Sequence, residues 1–285
     1  MELIKQFVPI LLTGSLALLV VSIGLGSKHG ELLYVFQRPG LLARGILAVS
    51  IIPLVAAILI VTIFPISLPA KAGIILMAIS PVPPLVPGKM LKFGGRSEYA
   101  YGLYAAMALL AIITVPLLGL LVSHYFDVKT QFPISVVARN VFVGLIVPVS
   151  IGLMLGRWLA PEFSHRVAPI VAKVALGLVL LAFVPILAGS WPSMVTLIGD
   201  GTLVAIIIVV VIAIAGGHFL GGETLHDKST LAFAAAMRHP GIALALAGAN
   251  HLDKRVSGAV LLVLIVGVVT LIPYQIMIRR LEARS

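Results

Sequence analysis

The sequence contains no cysteine and few charged residues. Without cysteine the chain forms no disulfide, no thiolate metal site and no thiol redox centre. Only 11% of its 285 residues are charged, 60% are hydrophobic, and the mean hydropathy is +1.18. A soluble domain of this composition could not be wetted, so we predict an integral membrane protein embedded in the lipid bilayer.

Enzyme motifs are also absent. The sequence has no HExxH, no Gly-x-Ser-x-Gly elbow, no Walker A loop and no GxGxxG pattern after a strand. No nucleophile is paired with a base, so we predict no enzyme, no bound cofactor and no metal site. The formal charge of +10 comes from 20 Lys and Arg scattered through short loops, which is typical of insertion topology and argues against nucleic-acid binding.

Apolar stretches bounded by charges, Pro or Gly predict about nine transmembrane helices in a single polytopic unit, residues 1–285. The predicted spans are residues 7–26, 41–63, 69–92, 98–123, 134–159, 167–189, 201–221, 229–250 and 256–278. The fold class is therefore predicted as an all-α membrane protein. The sequence indicates no oligomeric state.

Basic residues in the loops predict the orientation, because an odd number of spans places the two termini on opposite sides. The N-terminal side carries Lys5, Lys71, Lys129, Arg139, Lys254 and Arg255. The opposite side carries Lys28, Arg38, Arg44, Lys92, Arg96, Arg157, Arg166, Lys173, Lys228, Arg279, Arg280 and Arg284. By the positive-inside rule we expect a cell (inner) membrane protein with its N-terminus outside and its C-terminus in the cytoplasm.

Two of the predicted spans are interrupted. The third has four helix-breaking prolines after Ser80, namely Pro81, Pro83, Pro84 and Pro87. The eighth runs into Arg238 and His239 and then a break at Pro240 and Gly241. Free backbone groups at membrane depth need protein or a water-filled cavity around them, so we expect the two breaks to meet inside the protein and mark a site.

The interrupted spans are five apart, so they cross the membrane in opposite directions. This predicts an inverted repeat of four and five spans, with residues 1–124 as a shortened first unit and residues 134–280 as the second. Interrupted helices at corresponding positions of two inverted halves indicate the substrate site of a secondary transporter. Two further patterns, Gly152 with Gly156 and Gly217 with Gly221, predict close helix packing.

Three stretches carry a family resemblance: Arg38-Pro39 followed by a helix with Pro53, the break from Ser80 to Gly88 with the turn at Gly94 to Arg96, and residues 230–247. On these stretches the chain resembles the bile acid:sodium symporter family and its superfamily of organic-anion carriers. The resemblance implies panel and core domains, two broken helices crossing in the core, and sodium-coupled uptake of an organic anion by alternating access.

The chain departs from the family where sodium would bind. The family's side-chain ligands fall here on Ala234, on Arg238, near Gly88 or Lys89, and near Val49 or Ser50. Sodium is held by several oxygens, and a fixed cation in its place repels it. The ten carboxylates lie at span ends or in loops, so the spans offer no acidic ligand or proton carrier. Classical sodium coupling is therefore disfavoured.

The sequence thus predicts a secondary transporter of a small, carboxylate-like organic anion. Lys89 and Arg238 would replace the cation sites and neutralise the anion, Ser80 with the half-helix N–H groups near Gly88 and Gly241 would orient it, and His239 could carry a proton. Other interpretations stay open. Lys89 could reach the interface by snorkelling, and Arg238 could cap carbonyls of the opposite broken helix in place of sodium. The chain could also be a non-transporting sensor or partner module, or a sodium symporter with backbone ligands.

Overall fold

The computed structural model describes residues 2–159 and 161–283, and every regular element within these ranges is helical. Arg284, which was counted among the basic residues of the C-terminal side, lies outside the described residues. The α-helices are α1 (Glu2–Gly26), α2 (Pro39–Ile46), α3 (Ile52–Ile63), α4 (Leu68–Ile79), α5 (Val86–Lys92), α6 (Ser97–Tyr125), α7 (Ile134–Val141), α8 (Val147–Met154), α9 (Pro161–Val195), α10 (Thr202–Leu220), α11 (Leu225–Ala236), α12 (Pro240–Ala249) and α13 (Lys254–Glu282).

Long apolar helices confirm the predicted fold class. In the described part of the chain, eight helical segments are long and apolar enough to cross a membrane, and each coincides with a predicted span. The remaining predicted span is the proline-rich third one, which the structure divides into α4 and the short α5. The protein is an all-α, multi-pass membrane protein.

In two of the spans a turn of π-helix lies next to a proline, and the helix does not break there. Turns of π-helix, Leu47–Ile51 and Phe142–Ile146, precede Pro53 in α3 and Pro148 in α8. A proline lacks the N–H that would complete the ladder, and the wider π turn accommodates its ring without ending the helix. Residues 39–63 and 134–158 therefore each form one continuous span.

Two groups of helices pack closely. In one group α1 packs on α8 and α9, in the other α3, α4, α10, α11 and α13 pack together, and α9 also packs on α13. The first group combines the start of residues 1–124 with the start of residues 134–280, so the two predicted repeat units interleave in space. The inverted relation of those units stays a prediction.

Glycines bring the backbones of both groups close together, as the small-residue patterns predict. A Cβ at Gly24 of α1 would lie 2.9 Å from Cα of Gly152 in α8, and a Cβ at Gly217 of α10 would lie 2.5 Å from Cα of Ala232 in α11. Real Cβ atoms do not approach backbone this closely, so these helices pack only because glycine stands at the contact.

We expect Gly152→Ala to destabilise the protein by about 1 to 3 kcal/mol, because the added methyl group meets backbone atoms of α1 that cannot rotate away. Gly177→Ala in α9 is the matched control, since a Cβ there meets nothing within 4 Å. The melting temperature of the purified protein should fall in the first variant only. An equal change in both variants would refute the close α1–α8 contact.

Candidate functional site

The first break follows α4, which ends at Ile79 and leaves Ser80 in an extended conformation. Ser80 is buried, and its hydroxyl donates to the carbonyl oxygen of Leu76 at 2.7 Å. Pro81, Pro83 and Pro84 lie in the non-helical stretch, as predicted, because none of them can donate to a helical ladder. Pro87 instead lies in the first turn of α5, where its missing N–H would have no partner within the helix anyway.

The second break separates α11 from α12 at residues 237–239, and α12 then begins at Pro240. The backbone N–H of His239 donates to the carbonyl oxygen of Pro81 at 2.9 Å. This bond joins the two breaks directly, over a sequence distance of more than half the chain. The structure therefore brings the two interrupted spans together, as the sequence predicts.

Arg238 lies at the centre of this crossing and is only 6% exposed. Its Nη1 donates to the carbonyl oxygen of Ser80 at 3.2 Å, and its Nη2 donates to the carbonyl oxygen of Ala235 at 2.7 Å. Both acceptors lie at helix C-termini, which carry free carbonyls and the negative end of the helix dipole. One guanidinium thus caps the ends of α4 and α11 together.

No carboxylate partners this charge within residues 2–159 and 161–283. A buried cation is tolerated only where oxygen atoms replace its hydration, and two helix-end carbonyls meet part of that need. A guanidinium has five N–H donors, so the two recorded bonds leave three for other acceptors. The positive charge at the crossing is therefore held by the backbone and can still attract an anion.

Beside Arg238 is a cavity of about 30 Å³ within the group of α3, α4, α10, α11 and α13. Arg238 is its one charged lining residue, and the walls are apolar, including Pro53, Met77, Val209 and Val263. A volume of this size accommodates one or two water molecules. In this conformation the cavity is too small to hold an organic anion.

His239 and Gly241 lie next to each other after Arg238. Nδ1 of His239 is buried and has no hydrogen-bond partner in the described part of the chain. A Cβ at Gly241 would lie 2.9 Å from Cε1 of His239, so the glycine makes room for the imidazole ring.

Lys89 and Gly88 lie in α5, which follows the first break. Gly88 is exposed, Lys89 is half-buried, and neither lines the cavity beside Arg238. Among the described residues Lys89 has no recorded hydrogen bond or ion pair, and its position fits the snorkelling interpretation. The structure therefore groups Arg238, His239, Ser80 and Gly241, and Lys89 and Gly88 share neither a recorded hydrogen bond nor the cavity wall with them.

An ion pair that the sequence does not predict connects the start of α6 to the start of α11. Arg96, just before α6, donates through Nε and Nη2 to the two carboxylate oxygens of Asp227 at 3.2 and 3.1 Å. Thr224 caps the same end of α11 by accepting from the backbone N–H of Asp227 at 3.1 Å. The cap could be read from the Thr-x-x-Asp spacing, but no local signal indicates the Arg96 pairing across 131 positions.

At the positions where the resemblance places the sodium ligands of the family, this chain has no carboxylate or amide side chain. Ala234 is fully buried in α11, and Val49 is buried in the π turn before α3. The carbonyls of Ser80 and Ala235 at the crossing are bonded to Arg238. The guanidinium thus joins the ends of α4 and α11.

Comparison with known proteins agrees with this architecture. A family model described as the Sodium Bile acid symporter family matches residues 13–197, which include the first break and exclude Arg238. A search of curated proteins gave no match. The members of the matched family are transporters. Membership implies a symporter of the sodium/bile-acid type or an organic-anion transporter. On the length of this match, together with its helical membrane fold, the chain belongs to the sodium bile acid symporter family.

Proposed function

We propose that the chain is a secondary transporter that moves a small organic anion without sodium, with Arg238 as a built-in cation. One observation carries the proposal: the Arg238 guanidinium joins the carbonyls of Ser80 and Ala235 at the crossing of the broken helices. A mobile sodium ion in the same place would need these oxygens and would meet a fixed positive charge.

The anion would bind at the crossing. It would be attracted by the guanidinium N–H groups of Arg238 that do not bond to the carbonyls at the helix ends. Guanidinium donors match the planar geometry of a carboxylate, which makes a carboxylate-like anion the preferred substrate class. Ser80 would hold the Arg238 guanidinium in position through its carbonyl oxygen, since its hydroxyl is already bonded to the carbonyl of Leu76. His239 and Gly241 would shape the adjoining surface. Alternating access would follow from movement of the α1, α8 and α9 group relative to the other helices.

The first experiment is thermal unfolding of the detergent-purified protein in sodium chloride, in choline chloride, and with lactate, butyrate, benzoate or butanesulfonate. A ligand that binds only the folded state increases the free energy of unfolding by mass action, by about 2.7 kcal/mol at a concentration one hundred times Kd. The melting temperature rises accordingly. We expect one or more of these anions to raise it while sodium and choline give values within about 1 °C of each other. A sodium-specific rise would contradict the proposal.

We further expect Lys89→Ala to leave the stabilisation by an anion unchanged within about twofold in Kd, because Lys89 is half-buried in α5 and does not line the cavity beside Arg238. The measurement is the same thermal titration, with Arg255→Gln as a matched control at an exposed cation that is already paired with Asp253. A loss of binding in Lys89→Ala alone would restore Lys89 to the site that the sequence predicts.

A further inference from the structure

The charges at the crossing determine how much charge a transport cycle moves. Arg238 is covalently part of the chain and bonded to two carbonyls, so it is not released with a substrate. The other residues that line the adjacent cavity are uncharged. An Arg side chain does not give up its proton in proteins. The positive charge at this site therefore stays with the carrier in every step.

A carrier that takes up a sodium ion with its anion delivers both, and the two charges offset each other. Here the cation is fixed and only the anion leaves. Resting on the function proposed above, we propose that the chain carries a singly charged anion without any compensating ion, so that each cycle moves one net negative charge. An inside-negative membrane potential then opposes uptake and drives the anion out of the cell.

The size of this effect follows from the energy of one charge in the membrane field. At about 100 mV that energy is about 2.3 kcal/mol, which corresponds to an equilibrium ratio of about 50-fold. The chain would therefore act as an exporter of organic anions. The transported anion would then come from a reaction inside the cell that produces a monoanion faster than the cell consumes it.

A proton is the remaining ion that could compensate the anion. His239 is the titratable side chain next to Arg238, and its Nδ1 lacks a hydrogen-bond partner among the described residues. The carboxylates closest in sequence to the two broken spans, Glu98 and Asp227, both contact Arg96 instead. If His239 carried a proton with each anion, transport would be electrically neutral and would follow the pH gradient.

The test uses the full chain in proteoliposomes and labelled butanesulfonate, a monoanion that stays ionised and does not cross lipid as a neutral acid. Counterflow against unlabelled butanesulfonate at zero potential, in sodium-free medium, first establishes transport. A potassium gradient with valinomycin then sets the inside at about 100 mV negative or positive. We expect accumulation of label to change about 50-fold between zero potential and each of these, lower when the inside is negative and higher when it is positive.

Arg255→Gln, which alters an exposed cation that is paired with Asp253 and does not line the cavity, should give the same response as the unchanged chain. Accumulation that ignores the potential and follows a pH gradient would overturn the inference and assign a proton to each anion. Accumulation that requires sodium would overturn it as well. An absence of counterflow at zero potential for butanesulfonate and for the anions that stabilise the protein would instead refute the proposed function, and the inference would fall with it.

Discussion

Arg238→Gln is expected to lower the melting temperature in sodium-free medium by about 6 to 12 °C. The change removes two hydrogen bonds from a charged donor, to Ser80 and to Ala235. Such bonds contribute about 1.5 to 3 kcal/mol each, and the carbonyls they leave behind are buried. For a chain of this size, about 2 °C corresponds to 1 kcal/mol.

The same variant should lower anion counterflow by about 100-fold or more, because the cavity and crossing then contain no positive charge. Arg238→Lys keeps the charge with fewer donors and is expected to retain part of both properties. Arg238→Lys also separates the loss of charge from a general failure to fold, because misfolding would affect both variants alike. A melting temperature and a counterflow rate that stay normal in Arg238→Gln would show that Arg238 is not the fixed cation.

Arg238→Glu is expected to make the protein dependent on sodium. The new carboxylate would face the carbonyls of Ser80 and Ala235, and a group of oxygens with net negative charge is what a sodium ion requires. Sodium bound to the folded state alone would add about 2.7 kcal/mol at one hundred times Kd, which is about 5 °C in the melting temperature.

The measurement is a titration of the variant with sodium chloride, with choline chloride at equal ionic strength as the control for screening. Anion counterflow should be lost in choline. Arg255→Glu offers a matched charge reversal at an exposed position and should show no sodium response. A variant that melts at the same temperature in sodium and in choline would mean that the crossing does not hold a cation.

Much of the fold could be predicted from the sequence, because long apolar runs leave few alternatives in a membrane. The nine predicted spans all correspond to helical segments, and the breaks at Ser80 and before Pro240 were visible because proline cannot continue a helix. Helix ends were less predictable. The span predicted at residues 167–189 extends to Pro161–Val195 in α9, since polar residues at its ends are also helical.

The details of the site could not be predicted, because they depend on contacts distant in sequence. Local pattern placed Arg238 at a break, but it could not show that its guanidinium bonds to Ser80, 158 positions away. Lys89 and Arg238 both fall inside predicted apolar spans, and packing shows that Lys89 is half-buried in α5 whereas Arg238 is enclosed. The cavity walls from α10 and α13 carry no sequence signal that distinguishes them from ordinary apolar spans.

The most direct test of a built-in cation is the rate of anion counterflow at zero membrane potential, with all sodium replaced by choline. Labelled butanesulfonate, or any anion that raises the melting temperature, serves as the substrate. If Arg238 occupies the place of the coupling ion, the rates in sodium and in choline should agree within about twofold. Counterflow that stops in choline and returns with sodium would contradict the account, because a mobile cation would then still be required at the crossing.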